Sequence, residues 1–159
     1  MIQVWESDSM LRKRLDSYFA EAQKHIILME DAKKVITLPI KNYDTLPDLE
    51  KFALNTLVFR FSKLQDLIGS KMFRTYLEFN KFDTRNKSFL ELLREIEKEG
   101  IADIDSWDEL RRIRNSVAHE YPGEEEETVE ALELLIRKMP LLIAVAHRLK
   151  DKCNEIGSI

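Results

Sequence analysis

Residues 48–79, DLEKFALNTLVFRFSKLQDLIGSKMFRTYLEF, decide the fold class. Leu49, Phe52, Ala53, Leu57, Phe61, Leu64, Ile68 and Met72 recur at spacings of three and four, which is the signature of one apolar helix stripe. Leu54, Val58, Phe59 and Leu67 widen that stripe beyond one face. A helix apolar over so much of its circumference is expected to be central in the fold or buried in a second interface. Gly69 lies inside it. A mid-helix glycine costs up to about 1 kcal/mol against alanine, so close approach of another helix is expected there. Asp66, near the middle of this apolar helix, reads either as a carboxylate on the solvated side or as a partner for a basic group elsewhere.

Working outward toward the N-terminus, residues 39–47 read as a linker, with Pro39 and Pro47 enclosing Asn42, Asp44 and Thr45. Before it, Leu11, Leu15, Tyr18, Phe19, Ala22, Ile26, Met29 and Ile36 predict one helix from about Asp8 to Leu38, capped by Ser7 or Asp8. Arg12, Lys13 and Arg14 fall off its stripe and read as solvated. Toward the C-terminus, residues 80–87 form a polar loop. Ser88 caps a short helix with Phe89, Leu92, Leu93 and Ile96 inward, and Gly100 stops it. After a link through Ile101 to Asp105, Trp107, Leu110, Ile113 and Val117 make the stripe of a fourth helix, with Asp105 or Ser106 as cap and Pro122-Gly123 as stop. The acids Glu124 to Glu127 suit the positive end of a last helix, which carries Val129, Leu132, Leu135, Met139, Leu142, Ala146 and Leu149. Pro140 is expected to kink that helix, and the tail past Cys153 to fray. The expected architecture is all-α: an antiparallel up-and-down bundle of four main helices plus one short helix, a single domain over residues 1–159.

Composition agrees with this. Four glycines and four prolines in 159 residues favour a few long helices over many short strands. No apolar run approaches the ~18 residues of a membrane span, so no membrane partner is expected. The first residues, MIQVWESDSM, lack a basic region followed by an apolar stretch, so no signal peptide is expected and the cytoplasm is the expected location. A single cysteine, Cys153, excludes a disulfide framework and a cysteine zinc site within the chain. A net charge of −4 argues against a general nucleic-acid binder, though a local site for a few nucleotides stays open.

The chemistry-bearing cluster lies on the fourth helix. Arg114, Asn115, His119 and Tyr121 sit beside its apolar stripe, where each needs a partner. Asn115 and His119 are four apart and share a face. Arg114 starts roughly 140° away from His119, but its long stem can swing the guanidinium toward the imidazole. Pro122 biases Tyr121 away from helix, turning the phenol off the helix end. His25 and His147 lie on ordinary helices and are assigned no role.

The run Arg114-Asn115-Ser116-Val117-Ala118-His119-Glu120-Tyr121 resembles the R-x4-H-x-Y signature of the HEPN superfamily, and more closely that of the HepT-like toxins that accompany minimal nucleotidyltransferases. Those proteins are short and all-helical. They carry the signature on the penultimate helix, ahead of a long last helix containing proline, as Pro140 does here. The resemblance implies an endoribonuclease without a metal or other cofactor. Arg114 and His119 would be catalytic, Asn115 and Asp66 supporting, and Tyr121 would stack on a base or be modified. It also implies a homodimer with two signature helices facing each other, a nucleotidyltransferase antitoxin as partner, RNA as substrate, and silencing by adenylylation of Tyr121. Two other readings remain: a non-catalytic nucleotide- or partner-binding companion of a nucleotidyltransferase, and a bundle whose polar cluster merely ties helix ends together.

Overall fold

The computed structural model describes residues 7–118 and 125–157. Its elements are α1 (Asp8–Val35), α2 (Asp48–Leu67), α3 (Phe73–Phe79), α4 (Phe89–Lys98), α5 (Ile104–Ala118) and α6 (Glu125–Gly157). A π-helical turn, Ile68–Met72, carries α2 into α3 without a break. No strand occurs among the described residues, as the periodicity predicts.

Local chemistry explains most of the boundaries. The Ser7 hydroxyl accepts from the Met10 amide at the start of α1. That helix ends at Val35 rather than near Leu38, because Ile36 is already extended and Leu38 precedes Pro39. At α4, Ser88 and Glu91 make a reciprocal capping box, and Gly100 adopts φ +74°, a left-handed conformation open to glycine at no steric cost. The cap of α5 is Asp103, not the expected Asp105 or Ser106. Its carboxylate accepts from the Ser106 amide at 2.7 Å and the Ser106 hydroxyl at 2.8 Å. Past Cys153, where the tail is expected to fray, α6 continues to Gly157; Cys153 is fully buried and the Arg12 guanidinium donates to its carbonyl at 3.0 Å. Arg12 is therefore bound rather than simply solvated. Burial pushes the Cys153 thiol up to about 12, so it stays protonated and inert at neutral pH. Ser88→Ala removes one half of the capping box and should cost about 1 kcal/mol. A urea midpoint unchanged from the parent would contradict that assignment.

One continuous buried cluster gathers side chains from every helix, from Leu11 to Cys153. Within α2, the expected stripe is correct from Ala53 onward: Leu57, Phe61 and Leu64 are fully buried, as are Ile68 and Met72 in the adjoining π turn. Its start is not covered within the chain: Leu49 and Phe52 are 66% and 67% exposed. Helix α1 has ended by then; the Thr37 amide just beyond it donates to Glu50 in the first turn of α2. Phe59 is exposed as well; seven residues from Phe52, it shares the face opposite Leu57 and Phe61.

The π turn governs how closely α5 can approach. The Phe73 amide donates to the Ile68 carbonyl, five residues back. Gly69 lies in this turn, and a Cβ added there would stand 3.1 Å from Cζ2 of Trp107 on α5. The close approach expected at Gly69 is thus an indole laid against bare backbone. Trp107 also meets the Phe73 ring, with centroids 4.9 Å apart.

Candidate functional site

Two helices place their polar residues on one cleft. On α5, the buried stripe Trp107, Leu110 and Ile113 fixes the helix rotation. Trp107, Arg111 and Arg114 then recur at spacings of four and three along one edge of that stripe. On α2 and the π turn, Gln65, Asp66, Gly69 and Ser70 make the opposing edge. Phe89, the first residue of α4, closes one end. Between them lies a cleft of about 280 Å³, lined also by Asn115.

Arg114 donates from Nη2 to Asp66 Oδ2 at 3.0 Å, joining residues 48 positions apart. Of the two sequence readings of Asp66, both hold in part: its carboxylate is half exposed, and it is paired with Arg114. Such a partly exposed pair is worth at most ~1 kcal/mol, so an incoming anion can compete for the guanidinium. Asn115 is exposed at the same cleft. His119 and Tyr121, the other two members of the cluster, lie outside the described residues, as does the Pro122-Gly123 stop. The described structure therefore brings together Arg114, Asn115 and Asp66.

Sequence reasoning missed the rest of the cleft. Three polar atoms around it are buried without a hydrogen-bond partner among the described residues: Gln65 Oε1, Trp107 Nε1 and Arg114 Nε. Gln65 and Trp107 are only 3% and 2% exposed. A buried polar group left unpaired costs about 1–3 kcal/mol, so their clustering at one cleft is unusual. Arg111 lies over the Phe89 ring, with 5.7 Å from the guanidinium carbon to the ring centroid. The available signal for Arg111 was its spacing from Trp107 and Arg114; for Gln65 no sequence signal existed. Among the described residues, no group of three or more His, Cys, Asp or Glu side chains converges to hold a metal ion.

Away from the cleft, His25 has a structural position that its ordinary sequence context concealed. It is buried between α1 and α2, with Arg60 Nη1 at 3.3 Å from Nδ1 and Glu21 Oε1 at 3.7 Å from Nε2. Burial first, then the Arg60 charge, holds its pKa below the ordinary 6.5, against the opposing pull of Glu21. The folded state thus favours neutral imidazole, while the unfolded chain takes up a proton near pH 6.5. Stability from this group is complete above that pH and is lost as pH falls through the lowered folded value. Urea midpoints measured from pH 8 to pH 5 should fall less steeply in His25→Gln than in the parent. Identical slopes would mean that other groups carry the acid sensitivity.

A second groove, of about 560 Å³, runs between α1 and α6 over Met139, Pro140 and Ile143, with Lys33, Lys34 and His147 among its lining residues. Among the described residues no helix is long and apolar enough to cross a membrane. No protein-family model, no curated protein and no solved structure matches the chain.

Proposed function

We propose that this chain is a HEPN-like, HepT-like endoribonuclease toxin of the cytoplasm, paired with a minimal nucleotidyltransferase antitoxin. The observation that carries the reading is the meeting of Arg114, Asn115 and Asp66 at one cleft, on the helix that leads toward His119. In this mechanism His119 takes the proton from a ribose 2′-hydroxyl, which attacks the adjacent phosphorus. A protonated imidazole, from the same or the facing protomer, gives a proton to the departing 5′-oxygen. Arg114 leaves Asp66 for the phosphate and stabilises charge as it builds in the transition state. DNA lacks the 2′-hydroxyl nucleophile and would be spared. The products are a 2′,3′-cyclic phosphate and a 5′-hydroxyl, and no metal ion enters the balance.

The accompanying fold is the up-and-down antiparallel four-helix bundle. Its support is the pairing of helix ends: Lys81, just past α3, meets Asp8, at the start of α1; Arg12 meets Asn154; Glu133 meets Ile40; and Arg148 meets Ile101. The exposed face of α2, with Leu49, Phe52 and Phe59, offers apolar surface for the expected homodimer. Adenylylation of Tyr121 by the partner would set a phosphodiester beside Arg114 and block RNA.

The test is incubation of purified protein with RNA in the presence of a chelator. Cleavage leaving 2′,3′-cyclic phosphate ends supports the proposal. Intact RNA, or cleavage that stops when metal is removed, counts against it. The second reading, a non-catalytic nucleotide-binding companion, is favoured by two features: Arg114 is already neutralised by Asp66, and the chain is acidic overall. It predicts nucleotide binding with no cleavage.

A further inference from the structure

The exposed side of α2 changes character along its length. Near its start, Leu49 and Phe52 are bare apolar surface. Two turns on from Phe52, the Phe59 ring carries two cations: the Arg60 guanidinium carbon stands 5.2 Å from its centroid and Lys63 Nζ 5.5 Å. With both in place Phe59 is still 52% exposed, so part of its surface stays open to a ligand. Among the described residues neither cation has a carboxylate within ion-pair distance; Arg60 meets the His25 ring instead. Like charges three apart on a helix repel each other, and the chain itself supplies no anion between them. The surrounding surface has the same sign. From Lys51 to Ser70 the sequence holds a single acid, Asp66, and Arg114 engages it. In a chain of net charge −4, this is local complementarity to a polyanion rather than general basicity. Charged residues are depleted from the centres of protein–protein interfaces, which sets Phe59, Arg60 and Lys63 apart from the bare pair Leu49 and Phe52. An open ring flanked by cations is a platform for single-stranded nucleic acid: a base stacks on the ring and the cations take backbone phosphates.

We infer that Phe59, Lys63 and Arg60 form an outlying RNA-binding patch, which holds the substrate strand away from the point of cleavage. It rests on the reading that Arg114 handles the scissile phosphate, and it assigns a place to the flanking strand. Phe59, Lys63 and Asp66 recur at spacings of four and three, on one line of α2. Phe59 therefore lies two turns, about 10 Å along the helix, from the Asp66–Arg114 pair. A strand that leaves Arg114 along α2 toward its N-terminus runs over the ring. Stacking accepts every base, so the patch supplies affinity and strand direction rather than sequence choice. No bond is made or broken there.

The test titrates the full chain into a short fluorescent oligoribonucleotide methylated at every 2′-oxygen, which lacks the proposed nucleophile, and reads anisotropy at several salt concentrations. Phe59→Leu keeps an apolar side chain but removes the ring face, and should weaken binding by about five- to thirtyfold. Phe59→Trp keeps a stacking surface and should bind at least as tightly as the parent. Lys63→Gln should weaken binding and lower the slope of log affinity against log salt by about 0.7, the release of one counterion from a single strand. Phe59 and Lys63 are exposed, so helical circular dichroism should be retained in all three variants. Parent-like affinity in Phe59→Leu overturns the patch, as does Phe59→Trp binding as poorly as Phe59→Leu, or no binding by the parent at high micromolar protein. A change in sedimentation mass in Phe59→Leu without a change in RNA affinity also overturns it, and marks the ring as a contact between protein chains. Cleavage of unmodified RNA with affinity indifferent to Phe59 and Lys63 removes the patch and leaves the ribonuclease reading. Binding that depends on both residues, without cleavage, keeps the patch and removes the catalytic reading.

Discussion

Arg114→Ala is expected to lower RNA cleavage by about 10²–10³-fold, the usual effect of removing one group that stabilises developing charge. His119→Ala should lower it by about 10²–10⁴-fold, through loss of the acid–base group. Neither change should alter helical content, because Arg114 is partly exposed and its ion pair with Asp66 contributes little to stability. Asp66 gives the more discriminating experiment. It holds Arg114 Nη2 at 3.0 Å, so an RNA phosphate competes with it for the guanidinium. Asp66→Asn removes the competing charge. It should tighten RNA binding and steepen its salt dependence, since one more cation is free to displace counterions. In the same variant, kcat should fall modestly, because the guanidinium loses the contact that orients it. Single-turnover and steady-state assays at several salt concentrations separate these effects. Full activity in both Arg114→Ala and His119→Ala would move the chemistry to another site.

The largest effect on stability should come from Trp107→Ala, at about 3–5 kcal/mol, as for other buried aromatic truncations. The indole is 2% exposed, in contact with Phe73 and laid on the bare backbone of Gly69. Its loss leaves a cavity where α5 meets the π turn, with no side chain on Gly69 to fill it. That is a large share of the ~5–15 kcal/mol typical of a folded domain. Trp107→Phe should cost much less. It keeps a ring against Phe73 and also deletes Nε1, a buried donor with no partner among the described residues, whose removal offsets part of the lost packing. Urea denaturation of both variants checks the contrast. A Trp107→Ala penalty below about 1 kcal/mol would mean that α5 is not anchored by this residue.

Helix identity, the main breaks and several caps were legible in the sequence because their causes are local. Ser88 and Glu91 bond within one turn, Gly100 supplies its own left-handed conformation, and the spacing of Trp107, Leu110 and Ile113 requires only one helix. The same locality set the limit. Periodicity says which residues share a face, but not what covers that face. Leu49 and Phe52 belong to the apolar stripe of α2 and still stand in solvent, because α1 ends before it can reach them. His25 sat on an ordinary-looking stripe, and only the packing of α1 on α2 set Arg60 against its ring. Asp66 could be read as solvated or paired until α5 brought Arg114 to it across 48 residues. The motif itself offered Arg114 and Asn115 as candidates, since their types and spacing are written in the chain. The cleft they border was decided only by tertiary structure. Gln65 and Trp107 became unpartnered polar groups there because the π turn and the bare Gly69 let two helices close on them. No local rule assigns partners to polar atoms whose neighbours come from other helices.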